Sequence, residues 1–300
     1  MTIETWALLA IAGAFLQNLR SLLQRRLTGT LSVQGASYAR FVYALPLAWL
    51  YCLWIGVQWP HDQGWQDFLG YCLSGGIAQI IGTYCLVGAV SSGSFAVGTA
   101  YSKTEAAQAA LFGLLLIGDA ITLRLLLAIG LSFVGVAVLV NARQSSGRAA
   151  ATGWFDQRTL LLGLGAGAGF ALSAVCFRGA ALALPGGEFV ERAAATLAVT
   201  LSLQTLIQGG YLLWREPSAL RALTGSYGVG LWVGAAGMLA SLCWFTAMAM
   251  HPAAQVRAVG QIEMLFTLLT GAILLREPIR LAELLGIALI LAGIYLLLAT

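Results

Sequence analysis

Apolar runs of about 20 residues follow one another along this chain with little between them, and about 20 residues is the length of helix that crosses a bilayer. Reading between polar breaks gives the runs 4–24, 34–57, 66–88, 94–117, 122–141, 159–182, 188–213, 226–249, 253–275 and 281–299. Composition points the same way. Charged residues make up 9% of the 300 and apolar residues 59%, with mean hydropathy +0.85, whereas a soluble domain carries roughly 25% charge. The reading is an integral membrane protein. Trp54, Trp59, Trp65, Tyr211 and Trp214 fall near the ends of runs, where aromatic belts lie. Among the 36 glycines, Gly165 and Gly169 have the spacing that lets helices approach closely. Pro46 predicts a kink in the second span.

The net charge of +4 comes from loop arginines rather than a basic patch, so nucleic acid is not an expected partner. All five cysteines (Cys52, Cys72, Cys85, Cys176, Cys243) lie in apolar stretches without metal-ligand spacing. They read as small packing residues, not as disulfides or metal ligands. There is no GxxxxGK[ST] loop, nucleophile elbow or His-rich pattern, so we expect no enzyme, no metal and no cofactor. His61 and His251 are assigned no chemistry. The first run carries Gln17, Asn18 and Arg20, so a cleavable signal peptide is not expected.

The chain is a duplicate. Cys85 and Cys243, Ala89 and Ala247, Glu105 and Glu263, Asp119 and Glu277, and Gly135 and Gly293 are all separated by the same offset, 263 − 105 = 158. Nearer the start of each half the offset shortens, setting Arg25 against Arg178 and Arg40 against Arg192. The organisation expected is a first five-helix repeat at 1–142, a linker at 143–158 and a second repeat at 159–300. An odd number of spans per half forces the halves into opposite orientations. The expected fold class is therefore an all-α integral membrane protein, with ten transmembrane helices as two inverted five-helix repeats. Arg25, Arg26, Arg143, Arg148, Arg158, Arg215, Arg221, Arg276 and Arg280 gather in alternate loops. The positive-inside rule makes those loops cytoplasmic and puts both termini outside.

The run Leu114-Leu115-Leu116-Ile117-Gly118-Asp119 closes the fourth span, and Ala272-Ile273-Leu274-Leu275-Arg276-Glu277-Pro278-Ile279 closes the ninth. With the five-plus-five pattern, and more weakly with Arg40 leading into Phe41–Leu50, these runs resemble the EamA-type members of the drug/metabolite transporter superfamily. Those members end the same helices in Gly-Glu. Asp119 replaces the glutamate in the first half, and Arg276 replaces the glycine in the second. The family often has a proline earlier in these helices, near where this chain has Glu105 and Glu263. It is also usually drawn with both termini cytoplasmic, opposite to the arginine count. The resemblance implies a secondary transporter with a substrate cavity between the repeats and alternating access.

Ionisable residues at membrane depth are expensive and read as functional. Lys103, the only lysine, lies in the fourth span two residues before Glu105; in the ninth, Gln261 precedes Glu263 and Arg257 lies one turn earlier. On a continuous helix Glu105 shares a face with Tyr101, Ser102 and Gln108, and Glu263 with Gly260 and Thr267. Lys103 points away from that stripe and needs a counter-charge from another helix or from substrate. Three readings stay open. The carboxylates can exchange protons; the charges can bind a zwitterion; or Lys103 and Arg257 can be neutralised by Glu105 and Glu263 across the repeats. Arg40 and Arg192 are a second repeat-related pair, able to grip an anion or to be engaged locally near the membrane surface, for example with Glu191. Trp232, Trp244 and Tyr84 are candidates for aromatic walls or for packing.

The expected function is secondary active transport of a small polar or zwitterionic, amino-acid-like metabolite across the cell inner membrane, such as amino acid export. Protons are one candidate coupling ion. The alternatives are a flippase of a lipid-linked substrate and a non-transporting membrane scaffold. The expected partners are the small molecule and the lipid bilayer, and the expected state is a monomer or homodimer.

Overall fold

Large apolar side chains lie on the outside of this protein and small ones on the inside. Leu206 is 73% exposed and Ile273 74%, while alanines dominate the buried residues. That is the arrangement a bilayer selects. Hydrocarbon gives helices no hydrophobic drive to associate, so they pack through small residues and present leucine to lipid. The computed structural model describes residues 4–27, 31–57, 59, 65–92, 95–143, 157–274 and 279–299, and among these every regular element is a helix. Eight helical stretches are long and apolar enough to cross a membrane.

The first half runs α1 (Thr5–Leu27), α2 (Val33–Val42), α3 (Ala44–Ile55), α4 (Trp65–Ser92), α5 (Phe95–Ser102), α6 (Glu105–Leu116) and α7 (Leu123–Arg143). The second runs α8 (Gln157–Ala183), α9 (Phe189–Arg215), α10 (Pro217–Gly225), α11 (Tyr227–Met250), α12 (Ala253–Gly260), α13 (Glu263–Leu274) and α14 (Leu281–Leu298). The second span is interrupted at Tyr43, between α2 and α3. Pro46 has no N–H for the Val42 carbonyl, which accounts for the break. The short helix α10 was not expected; Pro217 in its first turn, where a missing N–H does no harm, starts it.

The fourth and ninth spans were expected to be continuous and are not. The helix stops after Ser102 and restarts at Glu105, and it stops after Gly260 and restarts at Glu263. Hydroxyl side chains account for the first stop: Ser102 Oγ donates to the Thr99 carbonyl at 2.7 Å, and Thr104 Oγ1 to Tyr101 at 2.6 Å. They take up carbonyls that end α5 and compete with the helical ladder. Three-residue bonds complete both turns, Thr104 N–H to Tyr101 in one and Ile262 N–H to Val259 in the other.

The repeat is visible to the residue. Adding 158 to the bounds of α5 and α6, and to the start of α7, gives the bounds of α12 and α13 and the start of α14. Gly118, at φ 82°, turns the end of α6 so that the Asp119 N–H returns to the Gly113 carbonyl. Its counterparts Arg276 and Glu277 lie outside the described residues.

The packing divides the chain into two compact units, each drawing on corresponding parts of both halves. One comprises Met1–Ile11, Ala78–Val175 and His251–Thr300; the other comprises Ala12–Ile77 and Cys176–Met250. In the first unit α7 and α14 cross antiparallel. A Cβ on Gly135 would come within 2.6 Å of the Gly286 carbonyl oxygen, and one on Gly293 within 2.8 Å of the Ala128 carbonyl oxygen. Under the 158-residue shift the second contact is the image of the first, so the crossing is self-complementary, as two-fold interfaces are. Gly169 packs on α4 in the same unit, where a Cβ would lie 2.6 Å from the Gly82 Cα. In the second unit α2, α3, α9 and α11 pack together, with Tyr43 of the interrupted span seated on Gly230 and Gly234 and its hydroxyl donating to the Leu223 carbonyl at 2.7 Å.

Candidate substrate and coupling site

The two helix breaks of the first unit carry its candidate charges. Glu105 opens α6 and Glu263 opens α13, while Lys103 follows the last residue of α5 and Arg257 sits in the last turn of α12. Carboxylates thus lie at the positive ends of half-helices and cations at the negative ends. Each such placement is worth about 1 kcal/mol. Broken helices with exposed termini are how transporter folds build ion and substrate sites at membrane depth.

The counter-charge of Lys103 comes from the other half of the chain. Its Nζ donates to Glu263 Oε2 at 3.2 Å, with the two side chains 11% and 19% exposed. Glu105 and Arg257 are the other charges acting on this ammonium. Glu105 is 8% exposed, Arg257 9% and Gln261 1%. Neither polar atom of the Gln261 amide has a hydrogen-bond partner among the described residues. No hydrogen bond or ion pair to Glu105 is found among them either.

Tyr101 serves a different contact from the one a continuous helix implied. The break at 103–104 takes it off a common stripe with Glu105, whereas Gln108 stays on α6 three residues after Glu105. Gln108 Nε2 donates to Thr104 Oγ1 at 2.8 Å and to the Leu164 carbonyl on α8 at 3.3 Å. Tyr101 packs over Gly163, where a Cβ would come within 2.5 Å of its own. A Cβ on Gly167 would meet Thr104 Oγ1 at 2.8 Å. Gly163 and Gly167 therefore let α8 close onto the break. Gly163 and Thr104 were not singled out from the sequence; a small residue every fourth position in α8 was the available signal. Thr267 Oγ1 does bond the Glu263 carbonyl, at 2.9 Å.

Arg40 and Arg192 belong to the second unit. Arg192 is engaged locally at the start of α9, with Nε donating to the Gly187 carbonyl at 3.1 Å and its guanidinium over the Phe189 ring. Arg40 lies in the last turn of α2 with its guanidinium 4.4 Å from the Phe41 ring centre and Arg20 as its charged neighbour. Trp244 is buried against Gly13, whereas Trp232 and Tyr84 are exposed on the outer surface.

Both halves match the sequence model of the EamA-like transporter family, over residues 4–141 and 157–299. The chain belongs to the EamA-like transporter family. The resemblance read from its terminal motifs is thereby borne out, and an EamA-like chain with these apolar helices is a multi-pass membrane protein of a transporter family. A solved crystal structure of a protein is similar with TM-score 0.70 at 17% sequence identity, covering 98% of this chain and 96% of that one. It is among 28 solved chains that match. At that identity the likeness carries the fold alone. Among curated proteins there is no significant match.

Proposed function

We propose that this protein is a secondary active transporter of a small polar or zwitterionic, amino-acid-like metabolite, working by alternating access in the inner membrane. In this reading ten crossings form two inverted repeats, 1–142 and 159–300, joined by 143–158. One observation carries it: the part-buried Lys103–Glu263 pair joins a helix break of one half to the equivalent break of the other. A charge pair at such a position is suited to part and re-form as the two halves exchange conformations, because inverted repeats give each half access to the other's geometry. The antiparallel, self-complementary crossing of α7 and α14 supports the inversion. Glu105 and Glu263 are the candidate coupling carboxylates, since a desolvated carboxyl can gain and lose a proton as its surroundings open and close. Lys103, Arg257 and Gln261 are the candidate substrate contacts, with Tyr101 and Gln108 shaping the break and Arg40 and Arg192 in reserve for an anionic group.

Proteoliposomes loaded against a pH gradient and offered a radiolabelled amino-acid mixture test this reading. Accumulation above the gradient-free level is expected for the wild type and is lost in Glu105→Gln and in Glu263→Gln. Accumulation unchanged in both variants removes these carboxylates from coupling. No accumulation in the wild type contradicts amino-acid-like cargo.

A further inference from the structure

The two breaks share their bounds but not their chemistry. Under the 158-residue shift Lys103 corresponds to Gln261 and Glu263 to Glu105, so the image of the Lys103–Glu263 pair is Gln261 with Glu105. On one side a carboxylate at the head of a half-helix holds an ammonium at 3.2 Å. On the other side the residue that corresponds to Lys103 is a neutral amide, Gln261. α12, which Gln261 caps, packs against α6, which Glu105 opens. Both polar atoms of Gln261 lack a hydrogen bond among the described residues, although the side chain is 1% exposed.

We infer that Glu105 and Gln261 form the seat for a primary ammonium group of the carried molecule. This deepens the carrier reading and rests on it. The ammonium of Lys103 shows which group completes this geometry when it is supplied by the chain. A substrate ammonium offers three donors and no acceptor: one goes to the Glu105 carboxylate and one to Gln261 Oε1, the unpartnered acceptor. Gln261 Nε2 keeps a donor for an acceptor group on the same molecule. Charge balance favours a zwitterion. Lys103, Arg257, Glu105 and Glu263 sum to zero, a lone cation takes the cluster to +1, and a zwitterion leaves it neutral. The carboxylate of that zwitterion belongs on the Arg257 side, one turn before Gln261. The cargo class is thus a small primary amine that also carries an acid group, with the amine as the anchoring group.

Thermal unfolding of the purified full-length protein in detergent tests this. The probes are glycine, leucine and phenylalanine, each beside its decarboxylated amine and its deaminated acid, and binding raises the melting temperature by mass action. Amino acids and amines are expected to stabilise the wild type and the deaminated acids not to. Glu105→Gln weakens amine binding about 100-fold, since it removes one member of a buried charge pair, whereas the exposed carboxylate control Asp67→Asn leaves it intact. Gln261→Lys, which supplies the missing ammonium from the chain, melts higher than the wild type and loses the response to amines. The seat is overturned if no amine-bearing probe stabilises the wild type, if the response survives Glu105→Gln, or if Gln261→Lys melts lower. Stabilisation by the acids alone, with gradient-driven uptake intact, removes the ammonium seat and leaves the carrier reading standing.

Discussion

The break between α5 and α6 and the break between α12 and α13 are equivalent under the 158-residue shift yet carry different side chains. Both keep a two-residue turn followed by a glutamate that opens a twelve-residue helix. They differ in their cations: Lys103 stands where the other break has Gln261, and Arg257 where the first has Thr99. Duplication preserved what the backbone favours, a carboxylate in the first turn of a half-helix. What diverged is the group that answers that carboxylate. A protein built twice from one plan can keep its architecture two-fold while making its chemistry one-sided, and a carrier needs one-sided chemistry to hold an asymmetric molecule.

The comparison breaks first at its cations. Lys103→Met removes the ammonium that donates to Glu263, and should cost about 3 kcal/mol of stability. The matched change Gln261→Met removes an amide that bonds nothing among the described residues, and should be neutral or stabilise by about 1 kcal/mol. Denaturant unfolding in detergent measures both. Equal losses at the two positions contradict the assignment of the ion pair to one side.

A smaller effect sharpens the architectural half of the comparison. Gly135→Val and Gly293→Val each force a side chain into the close crossing of α7 and α14. Each should cost about 2 kcal/mol, and by similar amounts, because the two contacts are images of one another. A large loss at one glycine with none at the other is incompatible with a self-complementary crossing. The same unfolding measurement decides it.

Much of this was legible in the sequence. Apolar run lengths placed the helices, and the 158-residue offset placed Glu105 and Glu263 in equivalent slots before any contact was known. The demand of Lys103 for a counter-charge off its own helix also followed from spacing alone. The breaks did not. Neither contains proline, only the second has a glycine beside it, and Ser102 and Thr104 act by capturing carbonyls, which helical periodicity does not register. Assuming an unbroken helix put Tyr101 on a stripe with Glu105 and Gln108, whereas the turn separates it from both and seats it on α8. Which glutamate holds Lys103 was equally out of reach, because the choice between Glu105 and Glu263 depends on how α12 and α6 pack. Arg192 illustrates a different gap: repeat equivalence to Arg40 says nothing of the Gly187 carbonyl that the guanidinium finds five residues back along the chain.

The most direct measurement is the melting temperature of the exchange variant Lys103→Gln/Gln261→Lys beside Lys103→Gln alone. The exchange moves the ammonium from one break to the other and changes neither charge nor composition. If the breaks are equivalent frames that differ only in their cation, the ion pair re-forms on Glu105 and the exchange variant recovers most of the stability lost in the single variant. An exchange variant that melts no higher than Lys103→Gln contradicts the account.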